Sequence, residues 1–138
     1  MTLVQPHEGR RIALEAMVNK VAPQDLDLAL FTNNYTPVVG SVAADFTEAS
    51  GSGYARKQLV GANWVYAAGA PSPDTITYPE QIFTFTGALG NVYGYYVVQR
   101  TSGKVLWGER FSDAPFNVTG STRRVYVTPV YELGVATP

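Results

Sequence analysis

Four acidic side chains lie nearest the expected β core: Asp45, Glu48, Glu80 and Glu109. They are the residues of this chain best suited to acid–base work. Glycoside hydrolysis needs only two carboxyl groups at a set separation, one to protonate the leaving oxygen and one to attack or to activate water. Each of the four also has a structural reading. Asp45 and Glu48 flank a loop, Glu80 precedes a strand, and Glu109 beside Arg110 can pair with a neighbour across a sheet. No spacing brings two of them together, so the structural reading is favoured and no catalytic residue is expected.

Other chemistries find fewer parts. The single histidine, His7, would have to serve any Ser-His-Asp arrangement. It lies near a chain end, a poor place to hold a site to catalytic tolerance, and reads as an exposed or helix-entry residue. The chain has no cysteine, which excludes disulfides and thiolate metal ligands. With one histidine and no cysteine, neither a transition-metal site nor a cofactor is expected. Gly51-Ser-Gly53 followed by Arg56-Lys57 lacks the spacing and the following helix of a phosphate loop, and reads as a flexible connection. Arg123-Arg124 is too small a cluster for a nucleic-acid stripe. Tyr95, Tyr96 and Trp107 could stack on a sugar or base; an aromatic ladder inside a sheet is the favoured reading. Asn117-Val-Thr119 matches a glycosylation acceptor, which matters only in a secretory pathway.

Composition narrows the class further. The 138 residues fit one β-rich domain, 1–138, with 1–22 as a helical segment or arm. The net charge of -1, from 10 basic and 11 acidic side chains, gives no general attraction to nucleic acid or to an anionic membrane. Only 15% of residues are charged, against about 25% in an average soluble domain. Nine Tyr, six Phe and two Trp accompany that scarcity, leaving surface that could face a partner or form a Thr- and Tyr-rich solvated face. The first residues carry no basic stretch before an apolar run, so no signal peptide is expected. No apolar run approaches the ~20 residues that span a bilayer. Missing cysteine fits synthesis in a reducing cytoplasm.

The elements that must position these residues follow from periodicity. Glu8 to Lys20 predicts the one helix, with Leu14, Met17, Val18 and Val21 as an apolar stripe that must dock, Glu8 in the first turn, Lys20 in the last, and Pro23 as the stop. The period then changes to two. Leu26, Leu28 and Leu30 alternate with Asp27 and Ala29, and Asn33 to Pro37 reads as a turn. Val42 to Glu48 reads as a short strand or an ordered loop. Strands are expected at Tyr54 to Val60, Asn63 to Ala68, Gln81 to Thr86, Val92 to Gln99, Lys104 to Phe111 and Arg123 to Val130, with an edge pairing at the tail. Gly87 to Asn91 reads as a hairpin connection, and Gly94 as a bulge or a close backbone approach. Val105, Trp107 and Phe111 are expected on one face. About eight short strands after one helix predict a mainly β, antiparallel sandwich, jelly roll or barrel. Core residues are expected at Leu28, Leu30, Phe83, Phe85, Val97, Trp107 and Val127. Interface residues are expected in loops, at Asn33, Asn34, Tyr35, Pro71, Pro73 and Arg123.

A set of short segments carries a resemblance. They are Leu28-Ala-Leu-Phe-Thr-Asn33, Ser52-Gly-Tyr-Ala-Arg-Lys-Gln-Leu59, Phe83-Thr-Phe85, Val92-Tyr-Gly-Tyr-Tyr96, Leu106-Trp-Gly-Glu109 and Val125-Tyr-Val-Thr-Pro129. In this pattern the chain resembles the small structural proteins encoded among the head genes of tailed bacteriophages. The resemblance implies a capsid decoration, or cement, protein: a β-rich, non-enzymatic module, often a homotrimer, made in the host cytoplasm. It would bind the major capsid protein on the outside of the virion shell. A tail or baseplate module that binds a receptor or glycan, with Trp64, Trp107 or Tyr95 as a platform, is the alternative. Neither reading requires direct contact with nucleic acid or membrane.

Overall fold

The structure, a computed structural model, describes residues 3–69 and 73–133. It is mainly β and antiparallel, with one helix, α1 (His7–Met17). The strands are β1 (Leu26–Phe31), β2 (Lys57–Leu59), β3 (Val65–Ala67), β4 (Asp74–Thr77), β5 (Gln81–Phe83), β6 (Gly90–Val92), β7 (Gly94–Gln99), β8 (Val105–Arg110), β9 (Phe116–Val118), β10 (Val125–Val127) and β11 (Val130–Leu133). Among the described residues four small sheets result, in the orders β2-β1-β7-β8, β10-β5, β11-β4-β3 and β6-β9, and none closes into a barrel. Among the described residues no helix is long and apolar enough to cross a membrane.

The four-stranded sheet organises the molecule because both its faces are buried. In β1 and β7 every residue but Leu26 is inside. The register Leu28↔Val97 and Leu30↔Tyr95 sets these side chains on one face, where Phe83, Phe85, Val92, Trp107, Val118, Val125 and Val127 complete the main core. All seven expected core residues lie there. The β5–β10 and β6–β9 pairs contribute to this layer, giving a sandwich-like packing. Ala29 and Phe31 point the other way with Tyr96 and Val98. That second face is covered by a loop, residues 32–48, through Tyr35, Ala43 and Phe46.

Four expectations need correction. First, Val105 and Trp107 sit on opposite faces: Val98 pairs with Val105 and Val97 with Trp107, so Leu106 is an extra residue in β8. Such a bulge reverses the alternation, sending Val105 to the second cluster and Trp107 to the main core. Second, β5 and β6 do not form a hairpin, because β5 pairs with β10 and β6 with β9. Third, the apolar stripe of α1 does not dock. Leu14, Met17, Val18 and Val21 are exposed, and the buried side of the helix is marked by Gly9. A Cβ at Gly9 would stand 2.0 Å from the Leu106 carbonyl oxygen, so helix and strand meet backbone to backbone.

The helix also ends earlier than Lys20. Asn19 takes a left-handed conformation, φ 57°, while its N–H donates to Ala16 O at 3.1 Å and the Lys20 N–H donates to Glu15 O at 2.8 Å. This is the Schellman arrangement, with asparagine in place of the usual glycine. At the other end Glu8 Oε1 accepts the Val105 N–H at 2.7 Å. Val4 and Gly108 exchange backbone hydrogen bonds of 2.9 and 3.0 Å. The N-terminal segment thus covers the β8 edge of the sheet, which would otherwise present unpaired backbone groups. Val4, Glu8 and Gly9 are its points of contact with β8.

Candidate functional site

The loop at residues 32–48 has the features of a contact site, and its geometry follows from the sheet face beneath it. Phe46 anchors it. The Phe46 ring stacks on Tyr96 at 4.5 Å and 16°, meets Phe31 edge-on at 5.2 Å, and is met edge-on by Tyr35 at 5.2 Å. Gly108 leaves room for this ring, since a Cβ there would lie 3.2 Å from it. Aromatic packing of this kind fixes the floor of the loop.

Polar side chains then fix its shape. Asn33 spans the loop: its Nδ2 donates to Asp45 O at 2.8 Å and its Oδ1 accepts the Thr47 N–H at 2.9 Å. Ser41 is buried; its Oγ accepts the Val38 N–H at 2.9 Å and shares a hydrogen bond of 2.5 Å with the Tyr35 hydroxyl. Asp45 Oδ2 accepts the Val42 N–H at 2.9 Å, closing a short 3-10 turn. Arg110 Nη1 donates to Tyr35 O at 3.2 Å while its guanidinium lies 5.1 Å from the Tyr93 ring centroid. Asn33, Ser41 and Asp45 bond within the loop, and beside the exposed Asn34, Thr36 and Thr47 it presents Val38, Val39 and Val42, which are 54, 38 and 44% exposed.

One end of this face is closed by a charged clasp. Arg56 forks onto Glu48, with Nε to Oε2 at 2.8 Å and Nη2 to Oε1 at 2.7 Å, and the Tyr54 hydroxyl donates to the same Oε2 at 3.0 Å. Arg100 holds the buried Asp27 through Nη2 at 2.6 Å and Nε at 3.2 Å. Burial pushes the Glu48 carboxyl up, but the Arg56 and Tyr54 hydrogen bonds overcome it and hold the group below the usual carboxylate range. Burial, helped by the Glu48 charge, pushes the Tyr96 hydroxyl up to about 12. Across the sheet, the Tyr95 hydroxyl donates to Glu109 Oε1 at 2.9 Å, and burial raises the Glu109 carboxyl above its ordinary value despite that bond.

The residues singled out in the sequence therefore separate. Asn33 and Tyr35 are in the loop but turn inward to shape it; Asn34 is exposed. Arg123 is exposed far along the chain, its guanidinium 4.6 Å from the Phe116 ring centroid. Pro73 is half-buried, and Pro71 lies outside the described residues. Of the four carboxylates, Asp45, Glu48 and Glu109 each accept a structural hydrogen bond, and Glu80 is exposed. Among the described residues no group of three or more His, Asp or Glu is placed to hold a metal ion. Tyr95, Tyr96 and Trp107 are buried, as an internal aromatic ladder requires, and only Trp64 of the imagined platform is partly open. The valines were missed. The signal was available in Val38-Val-Gly-Ser-Val42, an apolar run in a loop bracketed by Pro37 and Asp45.

No family model, curated protein or solved structure matches the chain.

Proposed function

We propose that this chain is a non-enzymatic structural protein that decorates the outside of a tailed-phage head and cements the shell by contact with the major capsid protein. It would reside on the virion surface after synthesis in the host cytoplasm. The observation that carries the reading is the valine loop: a surface pinned by Asn33, Ser41 and Asp45 that still exposes three valines. A contact surface already held in its bound shape loses little conformational entropy on docking. Exposed valines on a loop braced by its own polar side chains suit a partner surface better than a substrate. A ligand that binds the assembled lattice and not the free subunit stabilises the assembly by mass action, and repeated copies multiply a weak contact.

The test is the heat tolerance of DNA-filled heads with and without the protein. Heads that lack it are expected to rupture at lower temperature and to recover when it is added back. Unchanged tolerance would remove the cementing role, and immunogold label on tails with bare shells would select the tail-module reading.

A further inference from the structure

Two apolar surfaces outside the valine loop have no partner among the described residues. The first is the outer side of α1, where Leu14, Met17 and Val18 stand 64, 71 and 71% exposed. The helix cannot roll to hide them, because Gly9 is held against the Leu106 backbone and Glu8 is bonded to the Val105 N–H. Its outward charges are cationic in balance. Arg10, Arg11 and Lys20 are exposed, whereas Glu8 turns inward and Glu15 is already tied to Arg11.

The second surface is a groove on the β11-β4-β3 sheet. Tyr66, Ile76 and Tyr131 lie in register across its three strands. Two depressions of about 210 Å³ each share Ile76 and Tyr131 as lining. The inner one reaches Trp64 and Ala13 of α1; the outer one is bounded by Leu133 and Asp74. Asp74 is the charge in this groove. Hydrogen bonds from the Gly69 N–H at 2.8 Å and the Tyr66 hydroxyl at 2.9 Å hold its carboxyl below the usual range. No Lys or Arg is among the described residues that line the two depressions.

We infer that this groove receives the outer side of α1 from a second copy of the chain, so that the protein associates with itself through two unlike patches. Charge complementarity selects that occupant. Groove against groove would set Asp74 against Asp74, and helix against helix would oppose cations. Groove against helix brings the cations Arg10 and Lys20 toward Asp74 while Leu14, Met17 and Val18 cover Tyr66, Ile76 and Leu133. A contact between unlike patches closes into a ring, runs on as an open filament, or is made twice by two copies that face one another. It does not depend on the capsid reading; either can fail alone.

The experiment is sedimentation equilibrium of the whole chain over a concentration series, with Met17→Glu and Leu133→Lys as variants. Both side chains are exposed and take no part in the core. The wild type is expected to form an oligomer that added salt weakens. Each variant alone is expected to associate at least about tenfold more weakly, with its unfolding midpoint unchanged at concentrations where the wild type is dissociated. Mixing the two in equal amounts is expected to restore association, because a lysine-bearing groove then meets a glutamate-bearing helix. A wild-type chain that stays monomeric, an oligomer indifferent to both substitutions, or a mixture that stays apart would each overturn the inference.

Discussion

Strands β7 and β3 draw on similar residue types and end in opposite environments. Gly94-Tyr-Tyr-Val-Val-Gln99 is buried along its whole length, whereas Val65, Tyr66 and Ala67 are all exposed. Position accounts for the difference. β7 lies between β1 and β8 with a packed layer on each face, and β3 is the edge of a three-stranded sheet. β propensity measures fit to a pleated surface and does not say which surface will be covered. The apolar residues of β7 hold the fold. The exposed apolar residues of β3, α1 and the valine loop belong to neither core cluster of the described residues, which is why they are the candidates for contact.

The largest expected effect comes from emptying the buried side of this contrast. Phe85→Ala removes a buried ring of the main core and is expected to cost about 3–5 kcal/mol. Urea titration should show a lower midpoint at unchanged slope. Gly94→Ala tests the close approach at the start of β7, where a Cβ would lie 2.1 Å from Glu109 O and 2.6 Å from the Phe31 ring. Overpacking of this kind is expected to cost about 1–3 kcal/mol or more, read as a fall in thermal midpoint.

A smaller effect separates two carboxylates by the direction of their pH dependence. Glu109 is held protonated to higher pH in the folded state than in the unfolded one. The folded state therefore binds more protons between those two values, and stability falls as pH rises through that window. Glu48 is shifted downward, so its contribution is present above the unfolded value and is lost as pH falls through the folded one. Glu109→Gln, which keeps an acceptor for Tyr95, should abolish the decline on the alkaline side and leave the acid-side loss. A stability profile from pH 3 to 8 that keeps its alkaline-side decline would contradict the assignment. The smallest effect belongs to the exposed side: Tyr66→Ser or Leu14→Ser should change stability by no more than about 0.5 kcal/mol in the same titration.

Much of the buried side was legible. Period two through Leu28 and Leu30, and the aromatic and valine content of β5, β7 and β10, point to the right residues because a sheet face repeats every second position. Three features were not. Gly9, the residue that decides which side of α1 docks, carries no hydrophobic signal, while the visible stripe of Leu14, Met17 and Val18 faces outward. The Leu106 bulge shifts a face without leaving a mark in composition. The pairings of β5 with β10 and β6 with β9 join segments distant in sequence, which no local turn chemistry encodes. The site was half legible for the same reason. Asn33 and Tyr35 suggest a loop worth examining, but only the position of Phe46 over Tyr96 reveals that they brace it and that the valines form its surface.

The most direct test of contact through this loop compares binding with stability in one variant. Val38, Val39 and Val42 are replaced together by serine, and the protein is co-sedimented with mature, expanded shells while its urea midpoint is measured. The account expects a native midpoint and loss of most shell binding. Shell binding equal to wild type, in a variant that folds as well as wild type, would contradict it.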